Sequence, residues 1–240
     1  MRRQKFAELS AHITGGNDGQ GGGDGPVLVL LHGFGAPGTD LLPMAEELEL
    51  PDSVRCVFPM APLVLEPGAP DGLAARAWWM IDMVELQVAM YTKQYEVLTE
   101  REPSGLAAAR AQLEAFLLAL QRELSVEPNE LILGGFSQGA MLALDTALDS
   151  RLALGGLALL SGSVLRRSRW LELAPRRAGL PVFISHGMAD AVLPFALAEE
   201  SERLLKSAGL DVEFTPFSGG HGIPGLVLSR LGAFARKLWA

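Results

Sequence analysis

Short apolar runs punctuate the chain at Val27-Leu28-Val29-Leu30-Leu31, Val54–Phe58, Leu131-Ile132-Leu133, Leu157–Leu160 and Pro181–Ile184. None of them alternates between apolar and polar positions, as strands covered on both faces by helices do not. Helical periodicity fills the gaps. Leu41, Met44, Ala45 and Leu48 form one stripe behind a cap at Thr39 or Asp40. Ala109, Leu113, Phe116, Leu117 and Leu120 form a second, and Val227, Leu231, Phe234 and Leu238 a third. Strand and helix in turn predict an α/β fold, a mostly parallel central sheet flanked by helices on both faces. An early edge strand is expected near Ala11–Thr14, with the glycine-rich residues 15–25 as a flexible hairpin tip after it. No repeat and no linker divides the chain, so residues 1–240 read as one domain. Trp78–Arg101 breaks the alternation and reads as an insertion.

Composition narrows the class. The 240 residues are 49% hydrophobic and 20% charged, with 27 Gly and 15 Pro, which is ordinary for a globular chain. The net charge of −8 argues against nucleic acid as a partner, because phosphate recognition needs a basic face. A lone cysteine, Cys56, allows no intramolecular disulfide, so a reducing, cytoplasmic location is expected. Met1-Arg2-Arg3-Gln4-Lys5-Phe6 has no apolar run behind it and does not read as a signal peptide. The longest apolar stretch, Leu152 to Leu165, is broken by glycines and serines, so stable membrane insertion is not expected.

Gly135-Phe136-Ser137-Gln138-Gly139 is a G-x-S-x-G sequence, weak alone. Its context strengthens it: Leu131–Leu133 reads as a strand and Met141–Leu148 as a helix. A tight strand-to-helix turn would lift the Ser137 hydroxyl above the sheet edge, and the glycines leave room for close backbone. A serine hydroxyl needs a general base. Of His12, His32, His186 and His221, only the last two follow Ser137, as the chain order Ser, Asp/Glu, His requires. His186 would leave Asp145, Asp149 or Glu172 as the acid, none just past a strand. His221 leaves Asp190, a few residues beyond the Pro181–Ile184 strand, while His221 itself sits in a glycine loop after a strand at Val212–Thr215. Both then lie past the carboxyl ends of parallel strands, where open α/β sheets bind ligands. The expected catalytic set is Ser137, His221 and Asp190.

His32-Gly33-Phe34-Gly35-Ala36-Pro37-Gly38 follows the first buried strand and is read as opening a helix. Its G-x-G-x-x-G spacing also matches a dinucleotide-binding fingerprint. Two features oppose that reading: the next strand ends Val57-Phe58-Pro59-Met60 with no acid for a ribose, and Pro37 removes an N–H from the turn. The loop suits an oxyanion instead, through the N–H groups of Phe34 and of Gln138, the residue after the nucleophile.

Together, Leu31-His32-Gly33-Phe34-Gly35, Pro59-Met60-Ala61-Pro62, Gly134-Gly135-Phe136-Ser137-Gln138-Gly139, His186-Gly187 with Asp190, and Gly220-His221 resemble the carboxylesterase/lysophospholipase group of the α/β-hydrolases, which includes the acyl-protein thioesterases. The resemblance runs from about residue 27 to the C-terminus. It implies the α/β-hydrolase fold, Ser137, Asp190 and His221 as a triad, Phe34 and Gln138 as oxyanion donors, and no cofactor. The implied activity is cleavage of a small-molecule ester or thioester. The family's tryptophan-aromatic-aspartate piece reads Trp78-Trp79-Met80-Ile81-Asp82 here, and about twenty further residues precede the next helix.

That segment, with Trp78, Trp79, Met80, Met83, Leu86, Met90, Tyr91 and Tyr95, is expected to form a lid or acyl-pocket wall, with Trp78, Trp79, Met80 and Met83 at the pocket. A packed helix or a dimer contact is the plainer reading of the same residues. Cys56 reads as a buried, inert thiol. No His/Cys pair has the spacing of a zinc site, so no metal is expected. Glu46, Glu47, Glu199, Glu200 and Glu202 read as solvated helix surface, and Arg166-Arg167-Ser168-Arg169 as a surface loop. A non-catalytic binding module on the same fold is the main alternative function, with dinucleotide binding behind it. Homo-oligomerisation is left open by the sequence.

Overall fold

The structure is a computed structural model that describes residues 1–70 and 72–240, with every side chain except those of Met90 and Val97. The elements, in order, are β1 (Arg2–Phe6), β2 (Leu9–Gly16), β3 (Gln20–Gly22), β4 (Val27–Leu31), α1 (Met44–Glu47), β5 (Arg55–Pro59), β6 (Leu63–Val64) and β7 (Arg76–Ala77). There follow α2 (Met83–Thr92), α3 (Glu96–Glu100), α4 (Leu106–Glu123), β8 (Leu131–Phe136), α5 (Gln138–Asp149), β9 (Gly156–Leu160) and α6 (Arg167–Leu173). The chain ends with β10 (Pro181–Gly187), α7 (Phe195–Ser207), β11 (Asp211–Phe217) and α8 (Gly225–Leu238).

One nine-stranded sheet runs in the order β1-β2-β5-β4-β8-β9-β10-β11, with β3 paired to β2 off that path. β1 pairs antiparallel with β2 and β2 with β5, β3 pairs parallel with β2, and β5 through β11 along the path are all parallel. The unbroken apolar runs now have a physical reason. Val27, Val29, Leu31, Leu131, Leu133, Leu157, Leu159, Val182 and Ile184 point into the core shared with α4, α5, α6 and α7. Leu28, Leu30, Ile132, Ala158, Leu160 and Phe183 point the other way, into the core with α1 and α8. Period-2 alternation is present but both faces are apolar, because each is removed from water at about 1.5–3 kcal/mol per large side chain.

Several expectations are corrected. The sheet edge is β1, whose residues alternate in exposure until Phe6, which packs edge-on against Phe116 of α4 at 5.4 Å. The expected strand near Ala11–Thr14 is the middle of β2. The glycine-rich stretch is ordered by Asp18, whose Oδ1 accepts the N–H groups of Gln20 (2.7 Å) and Gly22 (2.8 Å) and sets up β3. No helix opens directly after Gly38: α1 is four residues long, Pro43 holds its N-cap without a side-chain bond, and the Thr39 hydroxyl donates to Gly72 O (3.1 Å) instead. The loop therefore lacks the helix N-terminus on which a dinucleotide's pyrophosphate would rest.

The basic run is likewise not a solvated loop. Arg166 precedes α6 and pairs with Glu102 (3.0 Å), Asp145 (3.0 Å) and Asp149 (2.9 Å). Arg167 pairs with Glu200 at 2.6 Å, and Arg169 with Glu172 at 2.9 Å. Asp145 is fully buried on α5. It also takes Arg110 of α4 and the Trp170 indole N–H (2.8 Å). A buried carboxylate persists only with partners of this kind. The network bolts α5 to its two neighbouring helices.

Candidate active site

β4 and β8 are adjacent, yet the chain leaves β4 for β5 on one side and returns to β8 on the other. The strand order thus reverses there, and a crevice opens at the carboxyl ends of the two strands. Ser137 is the turn residue between β8 and α5, with φ 53° and ψ −116°. For a residue with a Cβ that conformation costs about 1–3 kcal/mol and persists only when its surroundings fix it. They do so here: Ser137 N–H donates to Leu160 O (2.8 Å), and its carbonyl accepts from Met141 N–H (3.1 Å). Gly139 is required because a Cβ there would lie 2.2 Å from Leu31 O, so α5 presses on the end of β4 backbone to backbone.

The loop after β4 lies against this turn. A Cβ on Gly33 would come 3.5 Å from the Ser137 Cβ. His32 is buried and braces the loop. Its Nε2 accepts the Ala61 N–H (3.0 Å), so its Nδ1 carries the proton and donates to Gly33 O (2.8 Å). Burial pushes the His32 imidazole below its ordinary range, against the Gly33 hydrogen bond, so the neutral form suits this bracing role. Gly35 N–H is spent on Arg76 O (2.8 Å) and Ala36 N–H on Gly33 O (3.3 Å). Phe34 N–H, the one just before them in the loop, donates to neither of these carbonyls.

Asp190 lies three residues past β10, and His221 four past β11. His221 Nδ1–H donates to Asp190 Oδ2 at 2.7 Å, which leaves Nε2 with its lone pair. Asp190 Oδ1 accepts the N–H groups of Val192 (2.8 Å) and Leu193 (2.9 Å). Burial opposes the carboxylate charge, but hydrogen bonds from His186, His221, Leu193 and Val192 outweigh it and hold the group well below the usual carboxylate range. The His221 ring packs against Phe136, one residue before Ser137, at 4.8 Å. From below, Ser161 Oγ–H donates to Gly222 O (3.2 Å), tying the histidine loop to the end of β9. The elements thus bring Ser137, Asp190 and His221 to one sheet edge.

The four expected pocket residues divide. Trp78 and Trp79 are only 2% and 3% exposed, so they form a packed floor and present no surface to a ligand. Trp78 Nε1–H donates to His32 O (2.9 Å). Met80 and Met83 are exposed, as are Val84, Val88 and Tyr91 along α2, whereas the Met90 side chain lies outside the described residues. Three supporting roles went unforeseen. The Gln138 side chain, 1% exposed, accepts the Trp78 N–H (3.0 Å) and donates to Trp79 O (2.8 Å), clamping the start of the insertion to the serine turn. Ser161 and His186 are the other two. Only His186 had a readable signal, its place four residues before Asp190. Cys56 is buried and its thiol is pushed up to about 12 by burial, so it is not a nucleophile.

Six parallel strands with helices on both faces, and a serine in a left-handed turn where their order reverses, define a protein of the α/β-hydrolase class. The chain belongs to the phospholipase/carboxylesterase family, which it matches over residues 23–239, and it is an ester-cleaving hydrolase. It is 27% identical over 203 residues to an acyl-protein thioesterase 1 of Neurospora crassa, covering 81% of this chain and 79% of that one. It is 31% identical over 206 residues to a probable carboxylesterase of Oryza sativa subsp. japonica, covering 83% and 82%. The crystal structure of esterase PE8 superposes with a TM-score of 0.75 at 28% identity, covering 96% of this chain and 99% of that one. Among the described residues, no helix is long and apolar enough to cross a membrane.

Proposed function

We propose that the whole chain works as one catalytic domain that hydrolyses carboxylic esters and thioesters of small or acyl-chain substrates through an acyl-enzyme. The observation that carries the reading is the 2.7 Å bond from His221 Nδ1–H to a buried, anionic Asp190, beside the strained Ser137 turn. Ser137 Oγ attacks the acyl carbonyl carbon while its proton passes to His221 Nε2. Asp190 fixes the tautomer and stabilises the imidazolium that forms. The carbonyl oxygen becomes an oxyanion held by the Phe34 and Gln138 N–H groups, each worth about 10²–10³ in kcat. His221 then protonates the departing alcohol or thiol as the C–O or C–S bond breaks. Water repeats the sequence on the acyl-enzyme, releasing the acid and regenerating Ser137. Side chains, main-chain N–H groups and water suffice for every step.

The thioester half of this range is suggested by the relative named an acyl-protein thioesterase. In this reading the exposed Met80 and Met83, at the start of the insertion, receive the apolar acyl group. The single cysteine suits a cytoplasmic setting. A fluorophosphonate tests the machinery, because it needs an activated serine and little else of the site. Intact mass and peptide mapping are expected to find one adduct per chain on Ser137, lost in His221→Ala. A folded protein that takes no label, or a His221→Ala variant that labels at the wild-type rate, overturns the reading.

A further inference from the structure

We propose that His186 is a positioning residue that shares the Asp190 carboxylate with His221 and sets how strongly that carboxylate holds the base; this rests on the triad reading above. His186 closes β10 and is fully buried, with its ring 6.2 Å from that of Phe195 on α7. Its Nε2 lies 2.8 Å from Leu193 O. A carbonyl only accepts, so the imidazole proton is on Nε2. Among the described residues Nδ1 is buried without a hydrogen-bond partner, so the one proton the ring has to offer is on Nε2, where Leu193 O takes it at 2.8 Å. That same Nε2 is 3.3 Å from Asp190 Oδ2, the oxygen that also receives His221 Nδ1–H.

The Asp190 carboxylate is thereby enclosed: two main-chain N–H groups and His221 Nδ1–H bond to it, and His186 Nε2 stands 3.3 Å from the same Oδ2 that His221 holds. His186 and His221 are the titratable groups that face it. The shared proton does two things. Through Leu193 O it closes the loop that carries Asp190, fixing where the carboxylate stands. Through Oδ2 it withdraws part of the negative charge that His221 feels. Without it, the carboxylate would hold a proton on His221 more tightly, and the base would become available only at higher pH.

The test compares His186→Leu, which removes the donor, with His186→Gln, whose amide N–H reaches the Nε2 position. Hydrolysis of p-nitrophenyl acetate is followed across pH. In His186→Leu, kcat is expected to fall about 10-fold, the low end for losing a charge-assisted hydrogen bond, with KM little changed. The acid limb of kcat/KM moves to higher pH, and His186→Gln returns both quantities toward wild type. A role confined to packing would lower the rate or the stability and leave the limb in place. Three results each overturn the proposal: wild-type kcat and limb in folded His186→Leu, a lowered rate with an unmoved limb, or a His186→Gln variant indistinguishable from His186→Leu. Should His186→Leu fail to fold, imidazole ¹⁵N–¹H spectra of the wild-type protein decide. The Nε2–H tautomer of His186 is expected, and the Nδ1–H tautomer overturns the proposal. Failure of the triad reading appears separately, as missing fluorophosphonate label on wild-type Ser137.

Discussion

Replacing Gln138 by methionine should destabilise the protein far more than its position on an apolar helix suggests. The side chain is 1% exposed, and its amide satisfies two main-chain groups, the Trp78 N–H and the Trp79 carbonyl. Methionine has nearly the same length and volume, so Gln138→Met opens no sizeable cavity and isolates the polar term. Each buried group left without a partner costs about 1–3 kcal/mol, so the two together cost roughly 2–6 kcal/mol. In a chain of this length each kcal/mol lowers Tm by about 2–4 °C, so urea midpoints and calorimetry should both register the change. Gln138→Glu supplies an internal check. The introduced carboxyl can donate to Trp79 O only when protonated, so its pKa in the folded state is raised. That contribution is complete below the unfolded value of about 4.3 and is lost as pH rises through the folded one. A loss under about 1 kcal/mol for Gln138→Met, or a pH-independent deficit for Gln138→Glu, would refute the clamp.

Asp190→Asn should leave the loop folded yet lower kcat by about 10³–10⁴, because an amide no longer selects the productive His221 tautomer; steady-state kinetics check this. The folded Asp190 carboxyl titrates below its unfolded value, so the stability it contributes is present above about pH 4 and disappears as pH falls further. The gap between wild-type and Asp190→Asn urea midpoints should therefore narrow in acid. Asp145→Ala leaves the Arg110 and Arg166 guanidiniums and the Trp170 N–H without their shared partner. A loss of about 3–5 kcal/mol is expected in chemical denaturation, far above that of an exposed pair such as Lys5–Glu8.

The parallel strands and the turn at Ser137 were legible for a common reason: each depends on neighbours close in sequence. Val27–Leu31 announces burial on two faces within five residues, and the serine turn is spelled by its own flanking glycines. What stayed hidden depends on distant partners. Arg166 looks solvated until α5 and the segment before α4 surround it with Glu102, Asp145 and Asp149. Trp78 and Trp79 resemble a sticky surface until His32 O and the Gln138 amide take their polar groups. β1 was missed because Arg2–Lys5 carry polar side chains on an edge, where only Phe6 enters the core. The α1 region has the periodicity of two helical turns, but Pro43 delays its start and the chain turns away after Glu47.

The glycine contacts have a further consequence for how such a protein can diverge. A Cβ at Gly139 would strike the Leu31 carbonyl at 2.2 Å, and one at Gly187 the Gly220 carbonyl at the same distance. In both cases main chain rests on main chain, so the closeness of each pair of segments is set without a side chain between them. A substitution in a side chain that lines the crevice therefore leaves these two backbone contacts untouched, whereas any side chain at Gly139 or Gly187 forces the segments apart.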